Sequence, residues 1–149
     1  MIPVTQTVLH DPATGAFGNC FSAMLASLLH VPIEDVPVFC AADTWRRDVN
    51  EWLRPFGLAY LEFDGNLLAE QGRHFGIVGL HHEVAGQSPR HTDSLHSCVG
   101  QDGSLVFDPH PSRAGVTPIQ YTGLFVALRP WEWKQTCANK QTEQDACHG

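Results

Sequence analysis

An α+β fold is predicted by the order in which two periodicities occur along the 149 residues. Helical spacing comes first. Apolar residues stand at Phe21, Met24, Leu25, Leu28 and Leu29, the i, i+3, i+4, i+7, i+8 pattern of a helix with one buried stripe. Alternation comes second: "LAYLEF" alternates as a strand does, and the short segments after it, divided by turn residues, read as the strands of a largely antiparallel sheet. Helices followed by strands, rather than interleaved with them, give the α+β order.

Taken in sequence, "TQTVL" (5–9) reads as an extended segment and "HDPATGAFG" (10–18) as a loop rich in turn residues. Asn19 is a suitable N-cap, which sets Cys20 in the first turn of the helix, and "VPIEDVP" ends that helix between two prolines. A second helix is predicted from Asp43 to Arg54, with Trp45, Val49, Trp52 and Leu53 inward and Pro55 stopping it. Strands follow at 58–63 and at 74–82 ("HFGIVGLHH"), and 85–94 reads as a loop. A strand–turn–strand hairpin covers 95–112 and a last strand 121–130. The domain is read over 1–133, and the polar, aperiodic 134–149 as a loosely held tail.

Composition narrows the class. Hydrophobic residues make up 43% and charged residues 17%, ordinary values for one globular domain of this length. A net charge of −7 argues against a nucleic-acid backbone or an anionic membrane as partner. No window is long and apolar enough to span a bilayer, and the N-terminus lacks a signal-peptide pattern. Five cysteines without CxxC spacing fit a reduced, cytoplasmic setting. The two lysines, Lys134 and Lys140, lie in the tail, so the body offers no amine chemistry.

Cys20 raises the chemical question. At a helix start, unpaired backbone N–H groups and the positive end of the helix dipole favour thiolate over thiol. The competing reading is a small buried hydrophobe, a common role for free cysteine. The hairpin favours reactivity. A three-residue loop 101–103 with Gly103 in the left-handed position sets Gly100 against Ser104, and His96 against Asp108. Val99, Leu105 and Phe107 then share the opposite, apolar face, whereas a two-residue Asp-Gly loop would put His96 and Asp108 on different faces. An Asp–His pair on one face is what a nucleophilic cysteine needs: the imidazole takes the thiol proton and the acid orients the ring.

"GNCFSAMLASLLHVPIEDVP", followed by "SPRHTDSLHSCVGQDGSLVFDPHPS", resembles the papain-like cysteine peptidase fold, and within it the small peptidase C39-like proteins of bacteria and phages. The resemblance covers roughly residues 5 to 115. It implies a papain-like single domain, N-terminal helices with the nucleophile at a helix start, packed on a mostly antiparallel sheet. It further implies Cys20 as nucleophile, His96 as general base and Asp108 as orienting acid. A glutamine upstream of the cysteine serves the oxyanion hole in such enzymes; Gln6 matches it, although it stands farther from Cys20 than is usual, and Asn19 is the alternative donor. The activity implied is hydrolysis of a peptide, isopeptide or amide bond in a peptide or protein substrate, through a thioester and with no cofactor. Transglutaminase-like acyl transfer and a non-catalytic binding module on the same fold are the alternatives.

The other candidates carry less. Nine histidines show no HExxH or other tight ligand spacing, and His81 and His82, adjacent on a strand, point to opposite faces, so no metal site is expected. Trp45, Trp52, Trp131 and Trp133 read as core and rim. Cys40 and Cys98 read as buried thiols; the alternative for Cys98, which shares the His96 face, is a second reactive thiol. Arg90 and Arg113, in the loops flanking the hairpin, are candidates for lining a substrate groove.

Overall fold

Two helices, α1 (Cys20–Leu29) and α2 (Trp45–Leu53), precede five strands: β1 (Leu58–Asp64), β2 (His81–Ser88), β3 (His91–Gln101), β4 (Ser104–Phe107) and β5 (Ile119–Ala127). This is a computed structural model, and it describes residues 1–39, 43–72, 74 and 76–132. Cys40, Trp133 and the tail expected over 134–149 lie outside the described residues. The strands form one sheet in the order β1-β5-β2-β3-β4, each neighbouring pair antiparallel. The architecture is therefore α+β.

The helices pack on one face of the sheet. Phe21, Met24 and Leu25 of α1 and Val49 and Leu53 of α2 are buried with Tyr60 of β1 and Val99 of β3, and Phe107 and Phe125 flank them. Phe21 is the aromatic hub, edge-on to Phe39, Trp45 and Tyr60 at centroid separations of 6.1, 5.5 and 5.6 Å, the arrangement the ring quadrupole favours. On the opposite face the buried Thr122 hydroxyl accepts from Leu67 N–H, and a single π-helical turn (Leu68–Gly72) buries Leu68. His82 is buried there and fully satisfied: Nδ1–H donates to the Glu83 carbonyl at 2.8 Å, and Nε2 accepts from Gly103 N–H at 3.0 Å. Burial drives its imidazole down from the ordinary value, which keeps it neutral.

Both helices fall where the periodicity sets them. Pro55 does not end the second one abruptly, because its fixed φ suits the 3₁₀ turn (Arg54–Phe56) that carries the chain on to Gly57. Of the predicted strand over 74–82 only His81 and His82 lie in one; the described residues before them form a loop. Gly76 and Gly79 adopt φ of 67° and 73°, outside strand geometry, and Asp102 accepts from Gly79 and Leu80 N–H to pin this stretch as a loop. The strand starts instead at His81, and most of the predicted 85–94 loop belongs to β2 and β3. Polar residues such as Gln87 and Ser88 hid that pairing from an apolar pattern.

The third departure is in the hairpin. Gln101 pairs with Ser104, so the loop is the two-residue Asp102–Gly103, with both φ positive (53° and 83°), as a tight primed turn requires. Alone, this loop would put His96 and Asp108 on different faces. A β-bulge reverses that: Gly100 pairs with Leu105 but Val99 with Phe107, leaving Val106 as the extra residue. Phe107 returns to the Val99 face, and Asp108 takes the parity of Cys98 and His96. Leu105, expected beside Val99, lies by this register on the other face.

Candidate active site

α1 starts at Cys20, with Asn19 at the N-cap position. The Asn19 side chain does not cap the helix. Its Oδ1 accepts from Thr7 N–H (3.1 Å) and Val8 N–H (2.9 Å), and its Nδ2 donates to Thr7 Oγ1 (3.0 Å). These bonds fasten the N-terminal segment beside the helix start. Farther back, Val4 N–H donates to Ser27 Oγ and Gln6 N–H to the Pro109 carbonyl, so the same segment bridges α1 and the end of the hairpin. Gln6 is thereby brought to the Cys20 cavity although the intervening loop is long. Its Nε2 donates to the Val8 carbonyl at 2.8 Å and retains a second hydrogen.

His96 and Asp108 form the central pair. His96 Nε2–H donates to Asp108 Oδ1 at 2.6 Å, and both side chains are buried. Asp108 also accepts from His110 N–H (2.7 Å, Oδ1) and Gly115 N–H (2.7 Å, Oδ2), which fix its plane. Burial raises its carboxyl, but the bonds from His96 and the two backbone N–H groups outweigh burial and hold it well below the usual carboxylate range. Burial likewise pulls the His96 imidazole down. The hydrogen bond to Asp108, and interactions with the Cys20 and Cys98 thiols, overcome it and push His96 up to about 11. With Nε2 committed to Asp108, the other ring nitrogen, Nδ1, remains for a thiol.

One cavity, about 310 Å³, opens onto this arrangement. Cys20, His96 and Gln6 line it near the α1 start, with Phe17 and Leu95 as exposed apolar residues of its lining. Cys20 is 8% exposed: largely covered, yet part of the cavity wall rather than sealed in the core. Compared with family models, curated proteins and solved structures, the chain matches none of them. Among the described residues no helix is long and apolar enough to cross a membrane.

The two arginines part company. Arg90 lines the cavity, where Nη1 donates to Ser112 Oγ at 2.8 Å and lies 3.6 Å from Asp108 Oδ2. Arg113 is not among the lining residues. It donates to the Asp108 carbonyl and to Thr5 Oγ1 and stacks over Phe107 at 4.6 Å, which ties the hairpin end to the N-terminal segment. Cys98 is buried as expected, and burial pushes its thiol up, with His96 partly offsetting this.

His96, Cys98 and Asp108 place one donor atom each within 4.8 Å of one another, a trio able to converge on a metal ion. His96 and Asp108 are already hydrogen-bonded to each other at 2.6 Å, so a metal there would compete with that bond. Cys20, His96 and Asp108 thus stand in a row in which a thiol interacts with an imidazole held by a carboxylate. Sequence reasoning missed Glu83, Glu62, Ser97 and Tyr121 of the cavity lining. No sequence signal marked them: Glu83, a single carboxylate in "HHEVA", reads as solvent-facing.

Proposed function

We propose that this chain is a cysteine-dependent hydrolase of papain-like architecture, acting on a peptide, isopeptide or amide bond. Its observation is the hydrogen-bonded pair His96–Asp108 beside Cys20, where Cys20 begins a helix and lines a cavity. In the first step Cys20 Sγ, its proton already passed to His96, attacks the carbonyl carbon. The carbonyl oxygen becomes an oxyanion, for which the Cys20 backbone N–H and the remaining Gln6 Nε2–H are the donors. Collapse breaks the C–N bond, His96 delivers the proton to the departing amine, and a thioester remains on Cys20. Water, deprotonated by His96, then attacks the thioester, releasing the acid and restoring the thiol. Asp108 stays ionised throughout and holds the ring.

Free Cys20 and Cys98 suit a reducing compartment, and a cytoplasmic setting completes the reading. The test is alkylation of the protein with iodoacetamide, read by mass spectrometry. Modification at Cys20 that is fast at pH 6 and lost in His96→Ala supports the hydrolase. A Cys20 rate equal to that of free cysteine, and indifferent to His96→Ala, overturns it.

A further inference from the structure

The cavity has a second end that the thioester chemistry does not use. Its floor is the helix-facing side of the central strands, where Glu83 and Ala85 of β2, Ser97 of β3 and Tyr121 of β5 line it, with Glu62 of β1 beside them. Glu83 is 3% exposed. Tyr60 Oη–H donates to Glu83 Oε2 at 2.5 Å and the Ser97 hydroxyl supplies a further hydrogen bond, so its hydrogen-bond partners are neutral hydroxyls. Among the described residues no lysine, arginine or histidine pairs with it, although a buried carboxylate ordinarily demands a cation.

The space around this carboxyl is maintained. A Cβ on Gly123, directly across the ladder, would fall 2.3 Å from Glu83 Oε2 and 2.5 Å from the Tyr60 ring, so only glycine leaves the carboxyl its place. The other groups facing Glu83 do not neutralise it. Glu62 repels it, and Arg46, the nearby cation, is spent on Glu62 through an Nη2–Oε1 contact of 2.5 Å at the surface. Trp45, Phe21 and Tyr121 supply aromatic walls, and the Arg46 guanidinium already rests 4.7 Å from the Trp45 ring centre, so that ring accepts a cation. A second cavity residue, Gln6, is 6% exposed and its Oε1 has no hydrogen-bond partner. The cations of the lining, Arg90 and the raised His96, are held at the other end, Arg90 by Ser112 and Asp108 and His96 by Asp108.

We infer that this end of the cavity is a subsite for a cationic group of the substrate, an ammonium or guanidinium, with Glu83 as its counter-ion and the Trp45 and Tyr121 rings as its walls. The word substrate rests on the hydrolase reading; the cation site itself does not. A volume of about 310 Å³ holds one basic side chain or a small amine rather than a length of folded protein. Burial without a cation pushes the Glu83 carboxyl up to about 7, and an arriving cation would return it to the ionised form. The net charge of −7 favours the approach of such a ligand.

The experiment titrates the ¹⁵N-labelled full chain with n-butylammonium chloride and, separately, with its neutral counterpart 1-butanol, at pH 7.5 and constant ionic strength. The expected result is binding of the ammonium about tenfold tighter than of the alcohol, with shifts centred on Glu83, Ser97 and Tyr121. In Glu83→Gln that preference should vanish. Equal affinities in the unmodified protein, or a preference that survives Glu83→Gln, overturn the subsite. Should Glu83→Gln not fold, NOEs from the nitrogen-bearing methylene of butylammonium to Tyr60 and Ser97 side chains decide the question on the unmodified chain, and their absence counts against it. Neither readout involves thiol chemistry, so failure here leaves the Cys20 alkylation result standing, and the reverse also holds.

Discussion

Asp108 holds His96 by a 2.6 Å hydrogen bond from Nε2–H to Oδ1, and the same carboxylate collects the N–H groups of His110 and Gly115. One side chain therefore orients the proposed base and also closes the turn that follows β4. Asp108→Ala should cost about 3 kcal/mol, because it strands two N–H donors, that of Gly115 buried and that of His110 partly so, and removes the acceptor of a buried imidazole. Asp108→Asn keeps the shape but loses the charge, so His96 should titrate lower and the alkylation of Cys20 should fall at low pH. Urea denaturation and the pH profile of iodoacetamide labelling measure the two effects separately.

The same pair fixes two limbs of a pH–stability curve. Asp108 is depressed in the fold, so its contribution is present above the ordinary value of 3.8 and is lost as pH falls below it. His96 is raised, so its contribution is full below 6.5 and is lost as pH climbs toward about 11.

Glu83 shapes the region between. Its folded value of about 7 lies above the ordinary 4.5, so the folded state binds the extra proton and Glu83's contribution falls as pH rises from 4.5 through 7. Glu83→Gln, which cannot ionise, should flatten that fall: relative to the unmodified protein, it should be more stable at pH 8 than it is at pH 5. Thermal or urea unfolding of both proteins across pH 4 to 8 checks the slope. Identical curves would mean that Glu83 has the same proton affinity folded and unfolded.

Cys20→Ala should abolish turnover and all labelling at that position while changing stability by no more than about 1 kcal/mol. Cys20 lines a cavity, so truncating it creates little new void. A loss of several kcal/mol in urea would assign Cys20 to packing.

The helix start was legible because it rests on local chemistry, a 3.6 period and an N-cap position, whereas the Cys20–His96–Asp108 convergence was expected from a hairpin register and from the family resemblance. The pairing of His96 with Asp108 came out of a register that the protein does not use. A two-residue loop and the Val106 bulge displace the ladder by compensating amounts, and a bulge has no signature in an alternating pattern. The strand expected from residue 74 begins only at His81 for a related reason, since two glycines in an apolar-rich stretch take left-handed conformations there. Glu83 was out of reach because a single carboxylate in a strand reads as solvent-facing until the sheet has a known inner face.

Gln6 and Asn19 make opposite predictions about the oxyanion. Both are buried beside the start of α1 and both carry an amide. Asn19 spends its carbonyl on Thr7 and Val8 N–H and its Nδ2 on Thr7 Oγ1, so its bonds hold the N-terminal segment in place. Gln6 spends one hydrogen on the Val8 carbonyl and lines the cavity with Cys20. Asn19→Ala should therefore act on stability, at about 1–3 kcal/mol for two unsatisfied backbone donors. Gln6→Ala should act on rate, with a loss of about 10²–10³ in kcat, the usual effect of removing one oxyanion donor. The Cys20 alkylation profile should survive Gln6→Ala, because alkylation forms no oxyanion. Thermal unfolding and single-turnover acylation of the two variants separate these roles, and a slow but fully stable Asn19→Ala protein would exchange the two assignments.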